Sequence, residues 1–107
     1  MAEKEKKIQE MQILEQNLQN ILLQKQAFQM ELAEVESASV EVNNSQGNVF
    51  KIIGQLMINA KKSEIKEELE NKKKILEMRI KSLDKQEQIF TEKVEKIREE
   101  LINTGQK

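Results

Sequence analysis

The chain of 107 residues contains no cysteine, proline, histidine, tryptophan or tyrosine. Without cysteine there are no disulfides and no thiol chemistry, which fits a reducing compartment. Without histidine or cysteine, the common metal sites and the common nucleophile–base pairs cannot be built. The three glycines stand apart, at Gly47, Gly54 and Gly105, so there is no glycine-rich phosphate loop. No apolar run approaches the roughly 20 residues that span a membrane, and the charged start "MAEKEKK" leads into no signal-like block. Carboxylates are scattered, with no apolar cleft to shift their pKa values. These absences predict a soluble, cytoplasmic protein that is not an enzyme and needs no cofactor or metal.

Large side chains are also scarce. Aromatic residues make up 3% of the chain, too few to fill a broad core. Charged residues make up 35%, with 18 basic and 19 acidic groups and a net charge of −1. Such a balance offers nucleic acid no electrostatic footprint, and no aromatics are interleaved with the basic residues for stacking. A chain rich in Glu, Lys, Leu, Ile and Gln points to long helices with narrow apolar seams.

The apolar spacing bears this out. Met11, Leu14, Leu18, Ile21, Lys25, Phe28, Leu32, Val35, Ser39 and Val42 follow in alternating steps of three and four. That is the a/d pattern of a coiled coil, broken only by Lys25 and Ser39. It predicts a first helix over 3–42, stopped by the turn-forming "NNSQGN" (43–48). A second helix is predicted over 63–103. Ser63 would be its N-cap, Glu64, Glu67 and Glu68 would suit its dipole, and "TGQK" would end it. Leu69, Leu76, Leu83, Phe90 and Ile97 form one column of its seam, and Lys73, Ile80, Glu87, Val94 and Leu101 the other.

Each helix would span about 60 Å, and equal lengths suggest an antiparallel pair. Packing a positions against d positions leaves two registers, one heptad apart. Leu18 lies opposite Leu83 in one and opposite Phe90 in the other. Neither brings Lys25 directly opposite Glu87, so no buried ion pair between them is proposed. Each would lie along the seam with its head in water.

Between the helices the chain turns apolar and β-branched. Val49, Phe50, Lys51, Ile52 and Ile53 precede Gly54, and Leu56, Met57, Ile58, Asn59 and Ala60 follow Gln55. Gly54 permits the positive φ of a II′-type turn, so a β-hairpin is predicted over 48–60. Apolar side chains lie on both of its faces and both edges lack partners. An isolated hairpin is marginal in water, and bare edges invite other chains. The hairpin is therefore read as an assembly device, in which Val49, Phe50, Ile52, Ile53, Gly54, Leu56, Met57 and Ile58 pair between copies into a sheet or barrel. The alternative is a strand pair that caps the coiled coil of a monomer.

Three segments in this order carry a resemblance: "LLQKQAFQMELAEVESA" (22–38), "VFKIIG" (49–54) and "RIKSLDKQE" (79–87). Together around one hairpin they resemble the β class of the prefoldin family, the hexameric co-chaperones of archaea and eukaryotes. The α class has two hairpins and a longer insert, and the compact chain suggests the archaeal form. The resemblance implies a single domain over 1–107 that joins two α and four β subunits through an inter-subunit double β-barrel. It further implies coiled coils whose free ends hold non-native proteins without ATP and pass them to a group II chaperonin.

On that reading the tips comprise Ile8, Met11, Ile13 and Leu14 on the first helix and Ile97, Leu101 and Ile102 on the second. Ile8, Ile13 and Ile102 fall off the seam and should be exposed, which suits weak and unselective client contact. Ordinary tip packing with stray apolar groups is the other reading. Leu22, Leu23, Ala27, Met30, Ile75, Met78 and Ile89 also leave the seam, from local core widening, a neighbouring subunit or client contact. "KKSEIKEELENKKK" (61–74) reads as a solvated charged face. A functional alternative stands beside the chaperone: a structural coiled-coil adaptor that self-assembles through its hairpin and joins fixed partners.

Overall fold

The computed structural model describes residues 2–105, with side chains described through Asn103. Helix α1 runs Ala2–Asn44, strands β1 and β2 run Val49–Ile53 and Leu56–Ala60, and helix α2 runs Lys62–Gly105. The fold is mainly helical, with one two-stranded antiparallel hairpin between two long helices. Both helices extend a residue or two beyond the predicted bounds, because no proline or early glycine stops them. Gln106 and Lys107, from the predicted terminal "TGQK", lie outside the described residues.

Two compact units make up the chain. One combines α1 as far as Ala27 with α2 from Ile80, and the other runs from Phe28 to Arg79.

In the first unit the two helix segments pair antiparallel. Leu14, Val94 and Ile97 form a buried cluster, with Met11, Leu18, Phe90 and Leu101 packed against it. Ile21 and Leu83 are buried too. Each such side chain gains about 1.5–3 kcal/mol on leaving water, so the seam is the main source of stability for charged helices. Leu18 and Phe90 share this cluster and Leu83 does not, which selects the register with Leu18 level with Phe90. Lys7–Glu100 at 3.1 Å and Arg98–Glu15 at 3.7 Å flank the seam as solvent-facing ion pairs of small individual effect.

Lys25 is not buried, as expected, but its head is paired and does not simply sit in water. Its ammonium pairs with Asp84 and with Glu87, the latter at 3.1 Å. In this register Asp84 lies one residue past the level of Lys25, and Glu87 lies about one turn, ~6 Å, along the axis. The two residues do not face each other directly. Facing positions alone missed the pairing because the flexible lysine stem covers that turn.

In the second unit Val35 and Leu76 are buried on the seam, and the Arg79 guanidinium lies 5.6 Å from the centre of the Phe28 ring. Ser39, the other break in the α1 pattern, lines a polar groove with Asn43, Lys66, Glu67 and Glu70. Ser63 is not the N-cap. Helix α2 begins one residue earlier, and the Lys61 carbonyl accepts from the amides of Glu64 and Ile65 at 3.1 Å each. Lys61 therefore holds the capping position and Ser63 lies within the first turn. The ladder from β2 ends at Ala60 and leaves one residue before the helix.

Candidate interaction surfaces

The hairpin is the first candidate. Its register pairs Ile53 with Leu56, Ile52 with Met57, Lys51 with Ile58, Phe50 with Asn59 and Val49 with Ala60. Gly54 has φ +61° and Gln55 keeps a negative φ, as a II′ turn requires. In a two-residue hairpin the closing pair exchanges both hydrogen bonds, and the ladder then alternates. Lys51, Ile58, Val49 and Ala60 therefore bond inward, while Phe50, Ile52, Met57 and Asn59 turn their peptide groups outward. The same four residues also share one side-chain face.

That face is open. Ile52 and Met57 are 68% and 67% exposed, and Phe50 is 51% exposed. The opposite face is covered only near its base, where Val49, Lys51 and Ala60 are half-buried, while Ile53, Leu56 and Ile58 remain exposed. Lys51 bonds Glu68 of α2 at 2.9 Å and ties this base to the helix. All eight predicted hairpin residues thus lie on one small element, with Val49 the only one partly covered.

The second candidate surface lies on the first unit. Ile13 and Ile102 are 59% and 52% exposed, and Ile8 is exposed as well. Leu14 and Ile97 are buried, and Met11 and Leu101 pack against them half-buried. The seven predicted tip residues therefore separate into three that face water and four that support them from within the seam.

Leu22, Leu23, Met30, Ile75, Met78 and Ile89 are exposed, and Ala27 as well. No core widening takes them in. The charged run over 61–74 is largely solvated, yet two of its residues have specific partners. Glu68 holds Lys51, and Lys62 donates to the carbonyl oxygens of Asn43 and Ser45. Sequence reasoning missed both, along with Asp84. A lysine in a run of lysines carries no signal that distinguishes it.

Among the described residues there is no group of acidic side chains placed to hold a metal, and no helix is long and apolar enough to cross a membrane. The described residues form a helical pair joined by a strand pair with open edges, and they leave apolar side chains bare on both elements.

A family described as "Prefoldin subunit" matches residues 5–107. Prefoldin subunit beta of Pyrobaculum islandicum is 36% identical over 86 residues, which cover 78% of this chain and 69% of that protein. The same subunit of Saccharolobus islandicus is 31% identical and covers 78% and 68%. The crystal structure of the prefoldin beta subunit from Thermococcus strain KS-1 superposes with a TM-score of 0.91 at 26% identity, covering 97% of this chain and 93% of that one. The beta2 subunit from the same strain shares the fold, with a TM-score of 0.73 at 22% identity. This chain belongs to the prefoldin subunit family, and its likeness is to the beta class.

Proposed function

We propose that this chain is the β-class subunit of an ATP-independent, cytoplasmic molecular chaperone and acts as one domain over 1–107. Four copies join two α subunits through their hairpins, and the open edges of Phe50, Ile52, Met57 and Asn59 become the inner strands of a shared barrel. Closing the barrel removes the edges and covers the apolar face, two costs that a lone hairpin leaves in place. The coiled-coil ends then hold non-native proteins, which pass to a group II chaperonin.

The observation that carries the capture step is the exposure of Ile8, Ile13 and Ile102 beside a closed seam. The coil does not need these side chains for its own packing. Set among Lys and Glu, they offer small apolar contacts that bind unfolded chains without sequence choice. Family membership supports the same reading.

The test follows light scattering from an unfolded protein diluted into buffer without nucleotide, in the presence of this chain and an α subunit. Size-exclusion with mass detection is run in parallel. A hexamer that suppresses scattering is expected, and Ile8→Ser, Ile13→Ser and Ile102→Ser combined should keep the hexamer and lose the suppression. Full suppression by the triple variant would place client contact elsewhere. A stable oligomer of the parent chain with no suppression would favour the structural adaptor.

A further inference from the structure

Charged residues make up 35% of the chain, but the two helices of the first unit share them unevenly. From Met11 to Ala27 the only charges on α1 are Glu15 and Lys25. Both turn across to α2, Glu15 onto Arg98 and Lys25 onto Asp84 and Glu87. The b, c and f positions of the heptad, which face away from α2, carry no charge over 12–27. Gln12, Gln16, Gln19, Asn20 and Gln26 lie there, exposed, with Ile13, Leu23 and Ala27 among them. The matching stretch of α2, 81–96, turns Lys81, Lys85, Glu92, Glu95 and Lys96 to water. Outer faces of helices in water ordinarily carry charge, as α2 does. Composition therefore does not account for the uncharged face of α1.

The chemistry of the face limits what lies on it. Each amide side chain offers both donors and an acceptor, and among the described residues none of these amides has a protein partner. A main chain outside secondary structure presents complementary groups at every residue. Ile13, Leu23 and Ala27 add apolar contact. Their spacing is not the three-and-four repeat that a second helix needs, which argues against another copy of this coil as the occupant. Without cations the face has no hold on nucleic acid. A charged segment would lose water against it and find no counter-charge. The complement is an extended chain with bare peptide groups and few charges. At 1.5 Å per residue the face is about 22 Å long, so about seven extended residues cover it.

We infer that the uncharged outer face of α1 over 12–27 holds extended, low-charge segments of non-native chains, and that the charged outer face of α2 does not. The inference rests on the chaperone reading. It adds which helix does the holding and what class of segment it takes. Ile13 belongs both to this face and to the tip, so the two surfaces are continuous.

The test uses this chain assembled with an α subunit, without nucleotide. Binding of a fluorescent peptide of about 20 residues, built from Ala, Ser, Leu and Asn, is read by anisotropy. A photo-crosslinking residue in place of Gln19 should capture the peptide, and one in place of Gln88 on α2 should capture at least about fivefold less. Gln16→Glu with Gln26→Lys keeps the net charge and nearly the same helix propensity, and should weaken binding at least about fivefold. Ser82→Lys with Gln88→Glu puts the same charges on α2 and should leave binding unaltered. Circular dichroism and size-exclusion check that both variants stay folded and assembled. Equal capture from both helices, or unaltered binding after Gln16→Glu with Gln26→Lys, would overturn the inference and leave the chaperone reading standing. So would a parent assembly that suppresses scattering yet binds no such peptide. A parent that does neither would overturn both.

Discussion

The Lys62 ammonium donates to the Ser45 carbonyl at 2.8 Å and to the Asn43 carbonyl at 3.2 Å. A residue in the first turn of α2 thus closes the last turn of α1. Helix α1 has no basic residue of its own in that turn. The exposed carbonyls at a helix C-terminus carry partial negative charge, and a cation there is worth about 0.3–1 kcal/mol. Lys62→Met should lose that amount in urea unfolding and speed amide exchange around residues 43–48. Lys62→Arg should retain most of the protection. Unchanged exchange in the methionine variant would remove Lys62 as a cap.

Gly54 sits at φ +61°, and no atom lies within 4 Å of the position a Cβ would occupy. Any loss on substitution is therefore a backbone effect. Gly54→Ala should cost the hairpin about 1–2 kcal/mol. Exchange of the strand amides over 49–60 is the direct reading, and Gly54→Asn should cost less. Equal protection in the alanine variant would mean that the turn relaxes to another type.

Ile53 and Ile58 are 53% and 45% exposed in the single chain. Replacing both by Asp should change the stability of the chain itself by only about 0.5 kcal/mol per site. Assembly should respond far more, because a charge buried in a shared apolar sheet has no partner. Circular dichroism should keep most of the helical signal while size-exclusion shows the oligomer lost. A hexamer that persists would refute hairpin assembly.

Hydrogen bonds from Lys25 to Asp84, and then to Glu87, raise its pKa above the ordinary lysine value of 10.5. The folded state therefore holds this proton more tightly than the unfolded state. Its stabilisation is complete below the unfolded value and is lost as pH rises through the folded one. The stability difference between the parent chain and Lys25→Met should stay constant from pH 7 to about 9.5 and change only in the alkaline range beyond. A difference that does not move by pH 11 would argue that the ion pair adds nothing to folding.

The seam was legible because its signal is repetition. Met11, Leu14, Leu18 and Ile21 recur at helical spacing, and their burial follows from that spacing alone. The hairpin was legible for a related reason: β-branched residues around one glycine match a single short-range geometry. The exposure of Ile8, Ile13 and Ile102 followed from their absence from the repeat. The partners of Lys25, Lys51 and Lys62 were not legible. Each depends on where a long, flexible side chain ends, and on which of many carboxylates or carbonyls lies within its reach. Ser63 misled because its type suits a cap, while the strand before it determines where the helix begins.

The sequence by itself determined the kind of protein this is: two long amphipathic helices around a strand pair, with apolar groups left over outside the seam. Periodicity settles that, since a side chain's place in a helix or strand repeat decides which face it joins. Only the tertiary structure decided the alignment of the helices and the partners of the charged side chains. A heptad repeat is nearly unchanged by a shift of seven residues, so its own pattern cannot choose between neighbouring registers. The ion pairs of Lys25 with Asp84 and Glu87 exist only once both helices are in place.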